Sequence, residues 1–315
     1  MKKYVFGVDV GGTTCKLGLF DICGNLLDKW EIATDIRQNG KYVLDNIQIA
    51  LQVKMCEKNI VSEEVLGIGI GLPGTMDKAH CFYCPNLGWE HINAEEDLKE
   101  RMTDMKVRAI NDANAAALGE MWKGSAKGYQ NAVIVTLGTG VGGGIIVNGD
   151  IVEGAHGVGG EIGCIVVNPE ETETFIAGPK GCLEQYASAT GLVNMAYRML
   201  AEPHELSSLD MAESINAKKI FNAFKSGDVL AGNIVRTYCE ILGKGLSRVS
   251  CVVDPEIYVI GGGVSKAGMV LLELVQKAFG EDVPDACGET KFALASLGND
   301  AGIYGAAYKI IKEFK

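Results

Sequence analysis

Residues 7–16 read Gly7-Val8-Asp9-Val10-Gly11-Gly12-Thr13-Thr14-Cys15-Lys16. An apolar strand over residues 3–10 runs into two glycines, and a second strand over 15–21 follows. Glycines at a strand end let backbone N–H groups approach an anion such as a phosphate. Asp9 can hold Mg2+ directly or through water, and Thr13 and Thr14 add hydroxyl donors. A plain tight hairpin accounts for a double glycine equally well. The stretch is neither a Walker loop nor a GxGxxG fingerprint, and the strand after it argues against a Rossmann dinucleotide site.

Outward from this turn the pattern reads βββαβ…βα, which is α/β. A third strand covers 26–33. A helix over about 39–58 carries Val43, Ile47, Ala50, Leu51 and Met55 at three-and-four spacing. Strands at 65–70 and 106–110 follow, and Asn111-Asp112 stops the latter and caps a helix to about residue 122. The second half starts the same way: a strand over 131–137, the turn Gly138-Thr139-Gly140, a strand over 142–147, and Asn148-Gly149 as a hairpin signal. Gly11 and Gly138 stand 127 residues apart, each between two strands. The match suggests a duplicated fold whose two glycine hairpins face one cleft. Helices over 182–200, 217–224, 228–252, 269–279 and 299–314, with strands over 257–260 and 291–295, complete the chain. No linker rich in Pro, Ser or charge separates two domains, so the boundary is expected at a hinge near 111–116.

Composition narrows the function. At 315 residues the chain predicts two domains of about 150. Its 47% hydrophobic and 22% charged content is that of a globular protein. Glycine is in excess, 41 residues, with no three-residue period, which excludes collagen. The net charge of −11 disfavours nucleic acid and anionic membrane surfaces. No run of about 20 apolar residues spans a membrane, and Asp9 interrupts the only stretch resembling a signal peptide. The ten cysteines therefore read as reduced thiols of a cytoplasmic protein. Cys81-Phe82-Tyr83-Cys84 has no second CxxC, and the four histidines form no paired ligand spacing.

Three further segments carry chemistry. Leu137-Gly138-Thr139-Gly140-Val141-Gly142-Gly143-Gly144 places five glycines between apolar strands, where a ligand or another backbone must come close. Gly261-Gly262-Gly263-Val264-Ser265 joins a strand to a helix, which suits a nucleotide packed against backbone. Asp112 sits at a strand end opening a helix. An N-cap is the ordinary role there, yet the same position suits a carboxylate accepting a substrate proton in phosphoryl transfer.

Together these segments resemble the ROK family of bacterial sugar kinases, within the actin-like ATPase superfamily. DVGGTTCKLGLFD is similar to the family's first phosphate loop, LGTGVGGG to its second, GGGVS to its adenosine loop and NDANAAALGEMWKG to its catalytic segment. GLPG at 71–74, PNLGW at 85–89 and ASATG at 187–191 are also family-like, and the last two with NDANAAALGEMW look most like the family's glucokinases from Gram-positive bacteria. The resemblance implies a two-lobed α/β actin-like fold, a duplicated ribonuclease H-like unit, with a cleft between lobes. It implies lobes of 1–112 with the C-terminal helix 299–315, and of 113–298.

The same resemblance implies roles residue by residue. Asp112 matches the general base. Asn86, Asn111, Glu161 and Glu184 match sugar contacts. Asp9, Gly11, Gly12, Thr13, Thr14, Lys16, Gly138, Thr139, Gly140, Gly262 and Gly263 fall in the nucleotide loops. The chain departs from the family where GEIGH and CxCGxxGCLE supply one His and three Cys to a structural zinc. Cys164 replaces the His, and Phe175 and Ala177 occupy two cysteine positions. Only Cys164 and Cys182 remain of four ligands, so no structural zinc is expected. Packing by Phe175, Ile176 and Ala177 is expected in its place. The lost His normally touches the sugar, which gives that contact to Cys164, a weaker hydrogen-bonding group.

The expected activity is ATP- and Mg2+-dependent phosphorylation of a hexose at its 6-hydroxyl, glucose first, by a homodimer. N-Acetylmannosamine, fructose and allose are the alternative substrates. A catalytically idle sugar-binding protein is the other reading. A sugar-operon repressor of this family needs an N-terminal helix-turn-helix, for which a glycine loop starting at residue 11 leaves no room.

Overall fold

The computed structural model describes every residue except Lys78, Ala79, Pro85 and Ala177, and for residues 75, 77 and 80–83 it describes the backbone alone. Two mixed five-stranded sheets organise the chain. The first contains β1 (Tyr4–Val10), β2 (Thr14–Asp21), β3 (Leu26–Ala33), β4 (Val65–Leu72) and β8 (Lys106–Asn111) in the order β3-β2-β1-β4-β8. The second contains β9 (Ala132–Leu137), β10 (Val141–Val147), β11 (Asp150–Ile151), β12 (Ile257–Gly261) and β13 (Lys291–Leu294) in the order β11-β10-β9-β12-β13. In each, the first three strands form an antiparallel meander, the first two joined across a glycine turn, and the last two strands add in parallel. The duplication inferred from Gly11 and Gly138 is thus a duplication of topology.

Burial follows from neighbours. Every residue of β4 is buried, as a strand covered on both faces requires, whereas the edge strand β3 alternates between intermediate and exposed residues. One face of the first sheet packs Phe6, Val8, Ile68 and Ile70 against Val43, Ile47 and Leu51 of α1 (Val43–Lys58). In the second lobe, Tyr238, Leu242 and Leu246 of the 25-residue helix α7 (Val229–Val253) join Val133, Val135 and Ile260 in one core.

The remaining faces meet through two helices. α9 (Ala301–Phe314) covers the other face of the first sheet with Ile303, Ala307 and Ile310. α3 (Asp112–Lys123) packs Ala115, Leu118 and Met121 toward Ile134, Ile146 and Val259 of the second sheet. The two helices cross at backbone distance. A Cβ on Gly305 would lie 1.6 Å from the Ala115 carbonyl oxygen, and one on Gly119 would lie 2.2 Å from that of Ala301.

The structure corrects several sequence expectations. The helix expected from residue 39 begins at Val43, because Gln38, Asn39 and Gly40 have positive φ and the Gly40 carbonyl accepts the Trp89 indole N–H at 3.2 Å. The helix expected over 182–200 is two, α4 (Leu183–Ala187) and α5 (Ala189–Ala201), broken at an extended Ser188. There the Tyr238 hydroxyl donates to the Ala187 carbonyl at 2.6 Å, and Ser188 caps α5 by accepting from the Gly191 N–H at 3.0 Å. Between β4 and β8 lie a three-stranded sheet, β5 (Thr75–Asp77), β6 (His80–Cys84) and β7 (Trp89–Ile92), and helix α2 (Ala94–Arg101), none of them anticipated. Helices α6 (Ala217–Lys225) and α8 (Met269–Asp282) stand close to where the periodicity puts them.

The crossing makes a specific prediction. Gly305→Ala forces a methyl onto the Ala115 carbonyl and should destabilise the protein by about 1–3 kcal/mol. Gly280→Ala, in α8, meets nothing within 4 Å and should stabilise it by roughly 0.5–1 kcal/mol. Urea denaturation measures both, and equal effects would refute the packing argument.

Candidate active site

A cleft of about 920 Å3 is walled by residues of both halves of the chain. β8 delivers Asn111 and Asp112 to it. Asn111 is the N-cap of α3: its side-chain oxygen accepts from the Asn114 N–H at 3.1 Å, and its amide donates to the Gly74 carbonyl at 3.1 Å. Capping by Asn111 releases Asp112 from that duty. Asp112 opens the helix, accepting from the Ala113 N–H at 2.8 Å, and its half-buried carboxylate lines the cleft. Burial raises its pKa, outweighing its backbone hydrogen bonds.

Asp9, near the end of β1, faces Lys16 across the β1–β2 pair, and both line the cleft. Burial, and then the neighbouring Asp112 charge, push Asp9 up to about 6 against the pull of Lys16. Gly302 of α9 makes room for it, since a Cβ there would lie 2.6 Å from the Asp9 carboxyl carbon. Among the described residues nothing donates to the Asp9 carboxylate. The Lys16 ammonium donates to the Asn299 carbonyl at 2.7 Å.

The first glycine turn is fastened from β3. The Gly11 N–H donates to the Thr14 carbonyl at 3.0 Å, the Thr34 N–H to Thr13 at 2.9 Å, and the Thr34 hydroxyl to Gly11 at 2.7 Å. Gly11, Gly12, Thr13 and Thr14 stand beside the cleft but outside its wall. Asn86 is an exposed residue over this turn, its Cβ 3.6 Å from where a Gly12 Cβ would be, and is likewise off the wall.

The second turn supplies Gly138, Gly140 and Val141 to the wall. Thr139 lines an adjoining cavity of about 470 Å3. Gly262 reaches the main wall with a positive φ of 82° beside the Leu137 carbonyl, whereas Gly263 does not reach it. Glu161 and Glu184 both line the cleft. Partial withdrawal from water, with Asp112 and Glu184 nearby, raises the Glu161 pKa. One Glu184 carboxylate oxygen accepts the Val141 N–H at 2.8 Å, which ties this side chain to the second turn.

Cys164 is exposed and off the cleft wall, where a sugar contact was expected. It ends a single 3-10 turn, and its N–H bonds the Glu161 carbonyl at 3.1 Å. Burial, followed by Glu161 and Cys182, raises its pKa. Cys182 is fully buried, and its sulfur and the Phe175 ring lie on Gly178, 3.5 and 3.6 Å from the position of a Cβ there. Ile176 contradicts the expected apolar packing: it is fully exposed and lines the cleft. Ala177 lies outside the described residues. No three His, Cys, Asp or Glu side chains group as a metal site among the described residues.

Sequence reasoning missed the C-terminal contribution. Gly298, Asn299, Ala301 and Gly302 all line the cleft. Buried Glu120 secures that approach, accepting from the N–H groups of Ser125 at 2.8 Å, Ser296 at 3.2 Å and Leu297 at 2.8 Å. The available signal was Gly124, four residues on, where a Cβ would sit 2.0 Å from the Glu120 carboxylate.

This geometry has close relatives. The chain is 39% identical to a glucokinase from Halalkalibacterium halodurans over 98% of this chain and 95% of that protein. A ROK family glucokinase from Streptomyces griseus in complex with glucose and AMPPNP superposes with a TM-score of 0.75 at 32% identity, covering 97% of this chain and 98% of that one. A ROK hexokinase from Thermus thermophilus superposes with a TM-score of 0.83 at 29% identity, covering 98% and 99%. The ROK family profile matches residues 5–313. With two α/β lobes, a cleft between them and family sequence from end to end, the chain belongs to the ROK family.

Proposed function

We propose that this protein is an ATP-dependent hexose kinase that phosphorylates glucose at its 6-hydroxyl. The observation that carries the reading is Asp112, a half-buried carboxylate with a raised pKa, at the head of α3 in a cleft walled by a glycine turn of family type. Similarity to glucokinases, one of them solved with glucose and an ATP analogue, supports both substrates. N-Acetylmannosamine, fructose and allose are the alternative acceptors, because an exposed Cys164 stands in place of the family's sugar-binding His.

In this mechanism Asp112 accepts the proton of the sugar hydroxyl as its oxygen attacks the terminal phosphorus in line. A raised pKa suits the task, since the base must hold that proton at the transition state. Asn111, Glu161 and Glu184 orient the sugar, each carboxylate accepting from its hydroxyls. Backbone N–H groups of the glycine turns and Lys16 take up phosphate charge, and most of the rate comes from positioning. Asp9 fits Mg2+: it is a half-buried carboxylate with no donor among the described residues, raised first by burial and then by Asp112, and a cation relieves that repulsion. Mg2+ would supply charge neutralisation at the nucleotide phosphates. We assign residues 1–112 with 299–315 to one lobe and 113–298 to the other, and expect a cytoplasmic homodimer with no structural zinc.

Asp112→Asn should still bind glucose and ATP but lose about 10²–10⁴ in turnover in a coupled ADP-release assay. Near-full activity would remove Asp112 as base, and a panel of hexoses and N-acetylhexosamines in the same assay identifies the acceptor. Metal analysis of the purified protein should find no stoichiometric zinc.

Asp9 also predicts a pH dependence of stability. Its pKa rises from 3.8 to about 6 on folding, so its contribution is whole below about pH 3.8 and lost as pH climbs through about 6. Asp9→Asn escapes that loss. The variant should gain stability relative to wild type across this window and level off above about pH 7. Urea denaturation at stepped pH reads the difference, and a gap constant with pH would refute the raised pKa.

A further inference from the structure

The second glycine turn is held on one side by the segment after Glu184. The Gly138 carbonyl accepts from the Ala189 N–H at 2.8 Å, and the Thr139 carbonyl accepts from the Thr190 hydroxyl at 3.0 Å. Across a trans peptide, each N–H points opposite to the carbonyl of the residue before it. The chain has no cis peptide among its described residues. Drawing the Gly138 and Thr139 carbonyls toward α5 therefore turns the Thr139 and Gly140 N–H groups away from it. Neither N–H has a partner among the described residues. The turn is open at Gly138, where a Cβ would meet nothing within 4 Å, whereas one on Gly140 would lie 2.3 Å from the Glu184 carboxylate.

The anchor itself is firm. Ser188 caps α5, and the helix break is pinned by the buried Tyr238 hydroxyl on the Ala187 carbonyl. Glu184 holds the far end of the turn through the Val141 N–H. Thr190 is exposed and on the second residue of α5, where threonine is a weak helix former. Its hydroxyl bonds the turn and not its own helix.

We propose that Thr190 is a positioning residue for the polyphosphate tail of the nucleotide. Its hydroxyl fixes the Thr139–Gly140 peptide so that the Gly140 N–H, beside the Thr139 N–H that Ala189 sets through the preceding peptide, faces phosphate oxygens. The proposal rests on the kinase reading and assigns that site a support outside the glycine motif. A neutral hydrogen bond of this kind changes an affinity by roughly threefold to tenfold when removed.

The test compares wild type, Thr190→Val and Thr190→Ser by calorimetric titration with AMPPNP and with glucose. Thr190→Val should bind AMPPNP roughly threefold to tenfold more weakly, with glucose affinity and thermal midpoint unchanged. Thr190→Ser should restore AMPPNP binding, and KM for ATP should follow the same order while kcat changes less. Wild-type AMPPNP affinity in Thr190→Val would overturn the proposal, as would a Thr190→Ser variant as weak as the valine. A wild type that binds AMPPNP but phosphorylates no hexose would sink the kinase reading alone, because the titrations judge Thr190 without turnover.

Discussion

The architecture depends on one close approach, the crossing of α9 over α3 and the first sheet without side chains between them. Gly305 and Ala115 meet at the crossing, as do Gly119 and Ala301. On the sheet side, a Cβ on Gly7 would lie 2.0 Å from the Ile303 carbonyl, and one on Gly69 would lie 1.8 Å from that of Ala306. Dispersion falls steeply with separation, so backbone contact at such range makes α3, α9 and β1 nearly one rigid piece. Asp112 heads one of these elements, Asp9 lies near the end of another, and Gly302 of the third is against Asp9. The spacing of the two carboxylates is therefore set by glycine packing that runs from the cleft wall at Ala301 and Gly302 into the helix crossing.

That spacing explains an electrostatic oddity. A chain of net charge −11 lines its cleft with Asp9, Asp112, Glu161 and Glu184 and sets Lys16 against them. Burial raises Asp9, Asp112 and Glu161, and neighbouring acids add to the rise at Asp9 and Glu161. Positive partial charge comes instead from peptide N–H groups, which carry no net charge and need no counterion. An acidic protein can thus present an anion-binding surface without a basic patch.

Much of this was legible in the sequence. Strand, glycine turn, strand recurs in both halves because hairpin chemistry is local, and the long helix α7 was readable within a residue or two because its apolar stripe is. Asp112 was identified correctly as a cleft residue at a strand end, although Asn111 does the capping. What escaped depends on distant partners. The break at Ser188 owes its position to Tyr238, 51 residues from Ala187, and the strands of the small sheet are too short to show a period. The cleft residues from 298–302 arrive only through tertiary packing. Glycine itself was half understood: some glycines open the turns, but Gly7, Gly69, Gly119 and Gly305 serve helix contact.

The position of α9 also orders events during synthesis. Val5, Phe20 and Leu66 find their apolar cover in Ile303, Ala307 and Ile310, which are translated some 240 residues or more after them. Domains tend to fold as they leave the ribosome, yet the first sheet of this chain must wait with one greasy face bare until its last helix emerges. The lobe made first is finished last, and contacts of such long sequence separation slow its closure. Until that helix is free to pack, the uncovered apolar face of the first sheet is a surface open to aggregation.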